Sequence, residues 1–294
     1  MPGLPITVGS IPSPDSGNLG PFHMYGIVLA VGVLVAVFVA EHRWRNRGYP
    51  RDGIYDICFW VVVWGVIGAR LYHVVTDYQL FEDDPWRAFQ IWKGGLAIWG
   101  AVLGGGIAVA VITIRRKMDT LAVTDVMAVG IVLAQAIGRW GNWFNQELFG
   151  KPSTLPWALQ IAPEHRPAGY TQYATFQPTF LYESLFCLAV AGVLLLAERR
   201  FRLRKGQTFA LYVMLYCVGR FWFEYLRIDP AHHVAGLRIN GWVSIGVFLA
   251  GLAWFLWLGK HASQQRRPGD PPCDISGNPI DGEQESPDPA GAAT

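Results

Sequence analysis

LAVTDVMAVGIVLAQAIGRWGNWF, residues 121–144, is the stretch on which the fold turns. A helix needs about 20 predominantly apolar residues to cross a bilayer, and this run is long enough. Yet it carries Asp125 near one end and Arg139 and Asn142 near the other. Working outward, six further apolar runs of similar length follow the same rule, at about 24–41, 54–75, 95–114, 178–197, 207–228 and 241–259. The chain is 52% hydrophobic and only 16% charged, a balance that suits lipid rather than water as the solvent. Its 13 Trp and 33 Gly fit the same solvent, since Trp anchors at interfaces and Gly is common in membrane helices. The expected fold is an all-α integral membrane bundle of about seven transmembrane helices.

Orientation is read from basic residues in the connections. One side holds Arg43, Arg45, Arg47, Arg51, Arg115, Arg116, Lys117, Arg199, Arg200, Arg202, Arg204, Lys205, Lys260, Arg266 and Arg267. The other holds only Arg87, Lys93, Lys151, Arg166 and Arg238. The asymmetry places the N-terminus outside and the C-terminus in the cytoplasm. No Lys or Arg precedes residue 23, so the first apolar run lacks the basic flank of a cleavable signal peptide and reads as a permanent span. The expected organisation is an extracytoplasmic segment 1–22, a seven-helix transmembrane domain 23–260 with an outer loop or head at about 145–177, and a disordered cytoplasmic tail 261–294, rich in Pro, Gly, Ser and Asp. The four cysteines, at 58, 187, 217 and 273, form no CxxC motif and imply neither a disulfide framework nor a zinc site. Asp125, near the start of its own helix, is explained by interaction with that helix's N-terminus.

Four arginines lie inside the spans: Arg70, Arg139, Arg220 and Arg227. Each costs roughly 2.5–3.5 kcal/mol at a helix centre, so four together call for a purpose. With the orientation above, all four converge on the outer leaflet. Arg220, Glu224 and Arg227, spaced i, i+4, i+7, fall on one helical stripe with a net positive face. Such a face suits a phosphate, because guanidinium offers two hydrogen bonds to it at once. Residues 138–150, GRWGNWFNQELFG, crowd Arg139, Asn142, Asn145, Gln146 and Glu147 into one helix end. Helix packing explains the glycines of that segment but not its Arg, Asn and Glu. Snorkelling accounts for an Arg at a helix end, and interfacial anchoring for either Tyr25 or Tyr182 taken alone.

The segment GRWGNWFNQELFG resembles the hallmark G-R-x-G-N-x-x-N-x-E-x-x-G of the prolipoprotein diacylglyceryl transferase family. Supporting similarity runs through FHMYG (22–26), GARLYHV (68–74), WKGGLAIWG (92–100), QPTFLYES (177–184) and GRFWFEYLR (219–227). The resemblance implies transfer of the diacylglyceryl group of phosphatidylglycerol to the lipobox Cys of a preprolipoprotein, with release of glycerol phosphate. It implies a multi-pass protein of the bacterial cytoplasmic membrane whose site faces outward. By the same resemblance Arg139, Asn142, Glu147, Gly150, Arg220, Glu224, Arg227 and Tyr25 match the family's functional positions; the expected catalytic set is Arg139, Arg220, Glu147 and Tyr25, and the expected phospholipid-binding set is Arg139, Asn142, Arg220, Glu224, Arg227, Gly150, Arg70 and Tyr182. The partners expected are phosphatidylglycerol, the signal peptide of a preprolipoprotein and membrane lipids, with no nucleic acid, metal or cofactor. One departure stands out: many members carry a His in G-G-x-x-x-H-G-G, where this chain has Trp99 within GGLAIWGA. The proton acceptor therefore lies elsewhere or the chain is inactive, and Glu147, Glu224 and Tyr25 stay open as candidates. An anion transporter or channel built on the same arginines is the rival reading. It calls for a polar path to the cytoplasm, which arginines clustered towards one side do not supply.

Overall fold

The computed structural model describes residues 9–14, 16–20, 22–51, 53–82, 84–91, 94–229 and 233–280, without the side chains of 233 and 234. Among the described residues are seven α-helices: α1 (Met24–Asn46), α2 (Gly53–Thr76), α3 (Ile98–Arg115), α4 (Thr120–Phe144), α5 (Thr179–Arg200), α6 (Gln207–Leu226) and α7 (Ile239–His261). Six are long and apolar enough to cross a membrane. The seventh, α6, falls short because Gln207, Arg220 and Glu224 lower its hydropathy. The chain is a multi-pass membrane protein. Among the described residues three two-stranded antiparallel ribbons accompany the helices: β1 (Asn18–Leu19) with β2 (Phe22–His23), β3 (Leu159–Gln160) with β4 (Thr175–Phe176), and β5 (His233–Val234) with β6 (Leu237–Arg238).

The chain divides into two compact units, one of residues 1–40 and 124–265, the other of 41–123 and 266–294. In the first unit α4 is the central element. Ala128, Val129, Val132 and Ala136 along its length pack against Cys187, Val190, Ala191 and Leu194 of α5 and Tyr212 of α6. Lipid tails are as apolar as these side chains, so close packing rather than the hydrophobic effect drives the association. Small residues supply it between α1 and α4. A Cβ on Gly130 would stand 2.6 Å from the Ala36 carbonyl oxygen, and one on Gly32 3.1 Å from that of Ala134.

Beyond Phe144 the chain folds into a small head with its own core of Phe149, Leu159, Ile161, Phe176 and Phe180. The N-terminal segment joins this head as an extra strand. Ile11 N–H donates to Ala158 O at 2.8 Å, and Gln160 N–H donates to Ile11 O at 2.8 Å.

Asp125 is fully buried, and its partners differ from the expectation. It accepts from Gly206 N at 2.7 Å, Phe209 N at 3.0 Å and Gln265 Nε2 at 2.9 Å. It therefore caps α6, whose first N–H groups have no partner within their own helix. The start of α4 is capped instead by Asp119, which accepts from Ala122 N at 3.1 Å.

In the second unit α2 and α3 form an antiparallel pair whose backbones meet at glycine. Cβ atoms on Gly68 and Gly100 would collide with each other's carbonyls. The expectation of disorder from residue 261 is corrected as far as Ile280. Gly269 N and Cys273 N donate to Asn46 O and Gly48 O at 2.9 Å each, and Arg266 Nε donates to Arg47 O at 2.8 Å. Composition gave this polar segment no core of its own, but it borrows the carbonyls of the turn after α1. Cys273 ends up 1% exposed. The rest of the expected tail, 281–294, lies outside the described residues.

Replacing Asp125 by Ala strands the buried Gly206 N–H and the half-buried Phe209 N–H at the start of α6. The substitution is expected to cost about 2 kcal/mol, read as a lower thermal midpoint in detergent, with the head unaffected by limited proteolysis.

Candidate functional site

At the head end of the first unit, two ion pairs sit on neighbouring helices. Arg139 Nε on α4 meets Glu183 Oε2 on α5 at 2.8 Å, and Arg220 Nη2 meets Glu224 Oε2, one turn along α6, at 2.7 Å. Arg139, Glu183, Tyr216 and Arg220 line one cavity of about 10 Å³, the size of a single water. The two arginine side chains remain 19% and 22% exposed, so each guanidinium keeps an open side. The carboxylates behind them are 6% and 3% exposed. This burial gradient puts negative charge inward and positive charge towards whatever approaches. A buried charge that loses its partner costs about 3–5 kcal/mol, which is why each arginine here is matched. Trp140 Nε1 donates to Ser184 Oγ at 3.3 Å beside this pair. The Tyr25 ring lies directly against Gly141, a contact that a side chain at 141 would block.

The expected stripe of Arg220, Glu224 and Arg227 does not form. Helix α6 ends at Leu226, and Arg227 is extended at φ −79°, ψ 147°. Its guanidinium turns to Asp229, donating through Nε at 2.7 Å and Nη2 at 3.1 Å. The second cation on Glu224 is instead Arg238, at the start of α7. Arg238 Nε stands 3.2 Å from Glu224 Oε1, and Nη1 donates to Glu224 O at 2.9 Å. Its Nη2 donates to the Asp229 backbone oxygen at 2.5 Å and lies 3.2 Å from Asp229 Oδ2. Asn240 Nδ2 adds a bond to Glu224 Oε1 at 3.1 Å. Burial raises the Asp229 carboxyl, but the Arg227 hydrogen bonds and the charges of Arg227 and Arg238 outweigh it and hold the group below its ordinary range. The loop basicity of Arg238 had hidden this role in sequence, although Arg238 and Asn240 sit just before the seventh apolar run.

The profile of the family described as prolipoprotein diacylglyceryl transferase matches residues 17–257. The chain belongs to the prolipoprotein diacylglyceryl transferase family. Among curated proteins, a phosphatidylglycerol–prolipoprotein diacylglyceryl transferase of Streptomyces griseus is 47% identical over 272 residues, covering 90% of this chain and 81% of the relative. One of the two such enzymes of Streptomyces coelicolor is 46% identical over 291 residues, covering 96% and 90%. The protein of that name in Cutibacterium acnes is 46% identical over 266 residues, covering 88% and 90%.

The diacylglyceryl transferase hallmark is built as a hydrogen-bonded helix exit. Asn142 Nδ2 donates to Glu147 Oε1 at 2.9 Å, and Asn145 Nδ2 approaches the same oxygen at 3.4 Å. Gln146 and Leu148 take the left-handed backbone region, at φ 50° and 58°, to make the turn. Glu147 is exposed and borders a polar cleft of about 570 Å³ with Ser13, Asn18, His23, Glu164 and His165. Gly150 serves the chain path: it bridges Arg227, donates to Gln177 O at 3.0 Å, and a Cβ there would sit 3.0 Å from Leu226 O. Tyr182 lies away from the arginine cavity and accepts from Trp157 Nε1 at 2.9 Å.

Arg70 belongs to the second unit. Four of its five N–H donors go to backbone carbonyls, of Ala88 at 2.8 Å, Gly94 at 2.7 Å, Gly95 at 3.0 Å and Arg87 at 2.5 Å. Arg70 is thus a clamp on the carbonyls of Arg87, Ala88, Gly94 and Gly95. Trp99, 49% exposed, occupies the first turn of α3.

Two outcomes follow. Asp229 has its folded-state affinity for protons lowered, so its stabilisation is present above about pH 3.9 and is lost as pH falls through the folded value. An Asp229→Asn variant should be less stable at neutral pH and show a flatter acid limb, read by thermal unfolding from pH 7 to pH 3. Arg70→Gln should open the 87–95 loop to protease and cost about 3 kcal/mol, since four carbonyls lose a charged donor.

Proposed function

We propose that the chain transfers the diacylglyceryl group of phosphatidylglycerol to the lipobox cysteine of preprolipoproteins, at the outer face of a bacterial cytoplasmic membrane. The observation that carries this reading is the meeting of Arg139 and Arg220, from separate helices, at one cavity with their open sides unspent. The names of the relatives supply the lipid and the protein class, and the excess of basic residues on the opposite connections supplies the orientation. Family membership gives the anion-transport alternative no support.

The reaction alkylates a thiol. Sulfur attacks the glycerol carbon that bears the phosphate oxygen, the C–O bond breaks, a thioether forms, and glycerol phosphate departs with the electron pair. The leaving group gains a negative charge in that step, so donors aimed at its oxygens lower the barrier. Arg139 and Arg220 bind the phosphate and meet the developing charge. A Cys thiol with an ordinary pKa near 8.5 must also lose its proton. Glu224 is occupied at both oxygens by Arg220, Arg238 and Asn240. Glu147, oriented by Asn142 and bearing no ion pair among the described residues, is free to accept it, with Tyr25 within electrostatic reach. Trp99 takes no part in proton transfer.

Arg139→Ala and Arg220→Ala, made separately, should each lower transfer from phosphatidylglycerol vesicles to a lipobox peptide by about 10²–10³-fold while the protein stays folded. Mass spectrometry of the peptide reads the outcome directly. Near-normal turnover by both variants would remove the proposed clamp.

A further inference from the structure

The charge arithmetic of the cluster singles out a residue that the reaction scheme does not use. Around the cavity and behind it stand four guanidiniums, Arg139, Arg220, Arg227 and Arg238, against three carboxylates, Glu183, Glu224 and Asp229. One positive charge is in surplus, and a phosphodiester carries one negative charge. Arg139 is matched by Glu183, and Arg227 by Asp229. The surplus therefore rests on the trio Arg220, Glu224 and Arg238. Without Arg238, Glu224 would neutralise Arg220 alone and the cluster would hold no net charge.

Geometry separates the two arginines that share Glu224. Arg238 is 9% exposed, and each of its nitrogens is committed, to Glu224 Oε1, Glu224 O or Asp229. Arg220 touches Glu224 through one nitrogen and keeps its other donors towards the cavity. Asn240 gives Oε1 a further partner and so turns the carboxylate towards Arg238. We propose that Arg238 is a positioning residue for the phosphate: by holding Glu224 it prevents that carboxylate from closing bidentately on Arg220 and leaves Arg220 free for a monoanionic phosphodiester. This rests on the phospholipid reading given above. Arg238 touches no reacting atom and acts only through Glu224.

The test is a double-mutant cycle in vesicles of defined phosphatidylglycerol content, with lipobox peptide in excess. Arg238→Gln should raise KM for phosphatidylglycerol about tenfold and change kcat by less than about threefold, because substrate binding loses roughly one tenfold step. The same change made in an E224Q background should alter KM by less than about threefold, since no carboxylate is left to restrain. Arg238→Lys restores the charge and should recover most of the loss. A brace that only holds α6 to α7 predicts something else: equal cost in both backgrounds, a fall in kcat or no rescue by Lys, any of which overturns the proposal. If Arg238→Gln does not fold, the Lys variant in the two Glu224 backgrounds still decides it. Binding of phosphatidylglycerol, followed by quenching of tryptophan with brominated lipid, is measured in parallel. A parent that binds the lipid but transfers nothing sinks the transferase reading; a parent that transfers while Arg238→Gln behaves like it sinks only the role of Arg238.

Discussion

A guanidinium in an apolar bundle must be neutralised to be tolerated, yet a phosphate is attracted only by one that is not fully neutralised. The head end of α4, α5 and α6 meets both demands by sharing carboxylates unequally. Glu183 and Glu224 sit deeper than the arginines they face, so the pairs act as dipoles whose positive ends look outward. The cost of burying these charges is offset by ion pairs, and at Glu224 Oε1 also by a hydrogen bond from Asn240. Removing Glu183 would strand Arg139, and removing Arg238 would leave Glu224 to neutralise Arg220 alone.

Helix packing places these groups by ångström-scale contacts rather than by bulk apolarity. Gly32 with Ala134 and Ala36 with Gly130 bring α1 against α4 closely enough for Tyr25 to rest on Gly141, two residues from Arg139. Asp125 fixes the start of α6, and the other end of the same helix carries Arg220 and Glu224. The head then finishes what the helices begin. Gly150 and the Arg227 bridge tie the exit of α4 to the exit of α6, and Thr179 Oγ1 donates to Leu148 O at 2.5 Å where α5 begins. Sequence, packing and site chemistry are joined along that path.

Helix number and approximate bounds were legible in sequence because a bilayer sets the length of an apolar run. α1 nevertheless extends five residues beyond its apolar stretch, to Asn46, past the buried Trp44 that stacks on Tyr49. The convergence of Arg139 and Arg220 was legible from depth and orientation together. Arg227 was misread because helical periodicity was carried one residue past the true end of α6. The clamp made by Arg70 was hidden for a different reason: its partners are main-chain carbonyls, and no side-chain pattern announces them. Arg238 was visible only as a basic loop residue, since its acidic partners lie 14 and 9 positions earlier, across a turn. Periodicity reports what one element does alone; it is blind to partners recruited from the next.

The stretch after α7 has a practical meaning. Its bonds to the carbonyls of Asn46, Arg47 and Gly48, with Ser276 Oγ donating to Lys117 O at 2.7 Å, stitch it into the corner between the first two helices and the loop after α3. A purification handle or reporter fused straight after His261 would tear out that stitching, whereas one grafted past Ile280 leaves it whole. What looks in sequence like a disposable extension is, up to that residue, a seam of the folded enzyme.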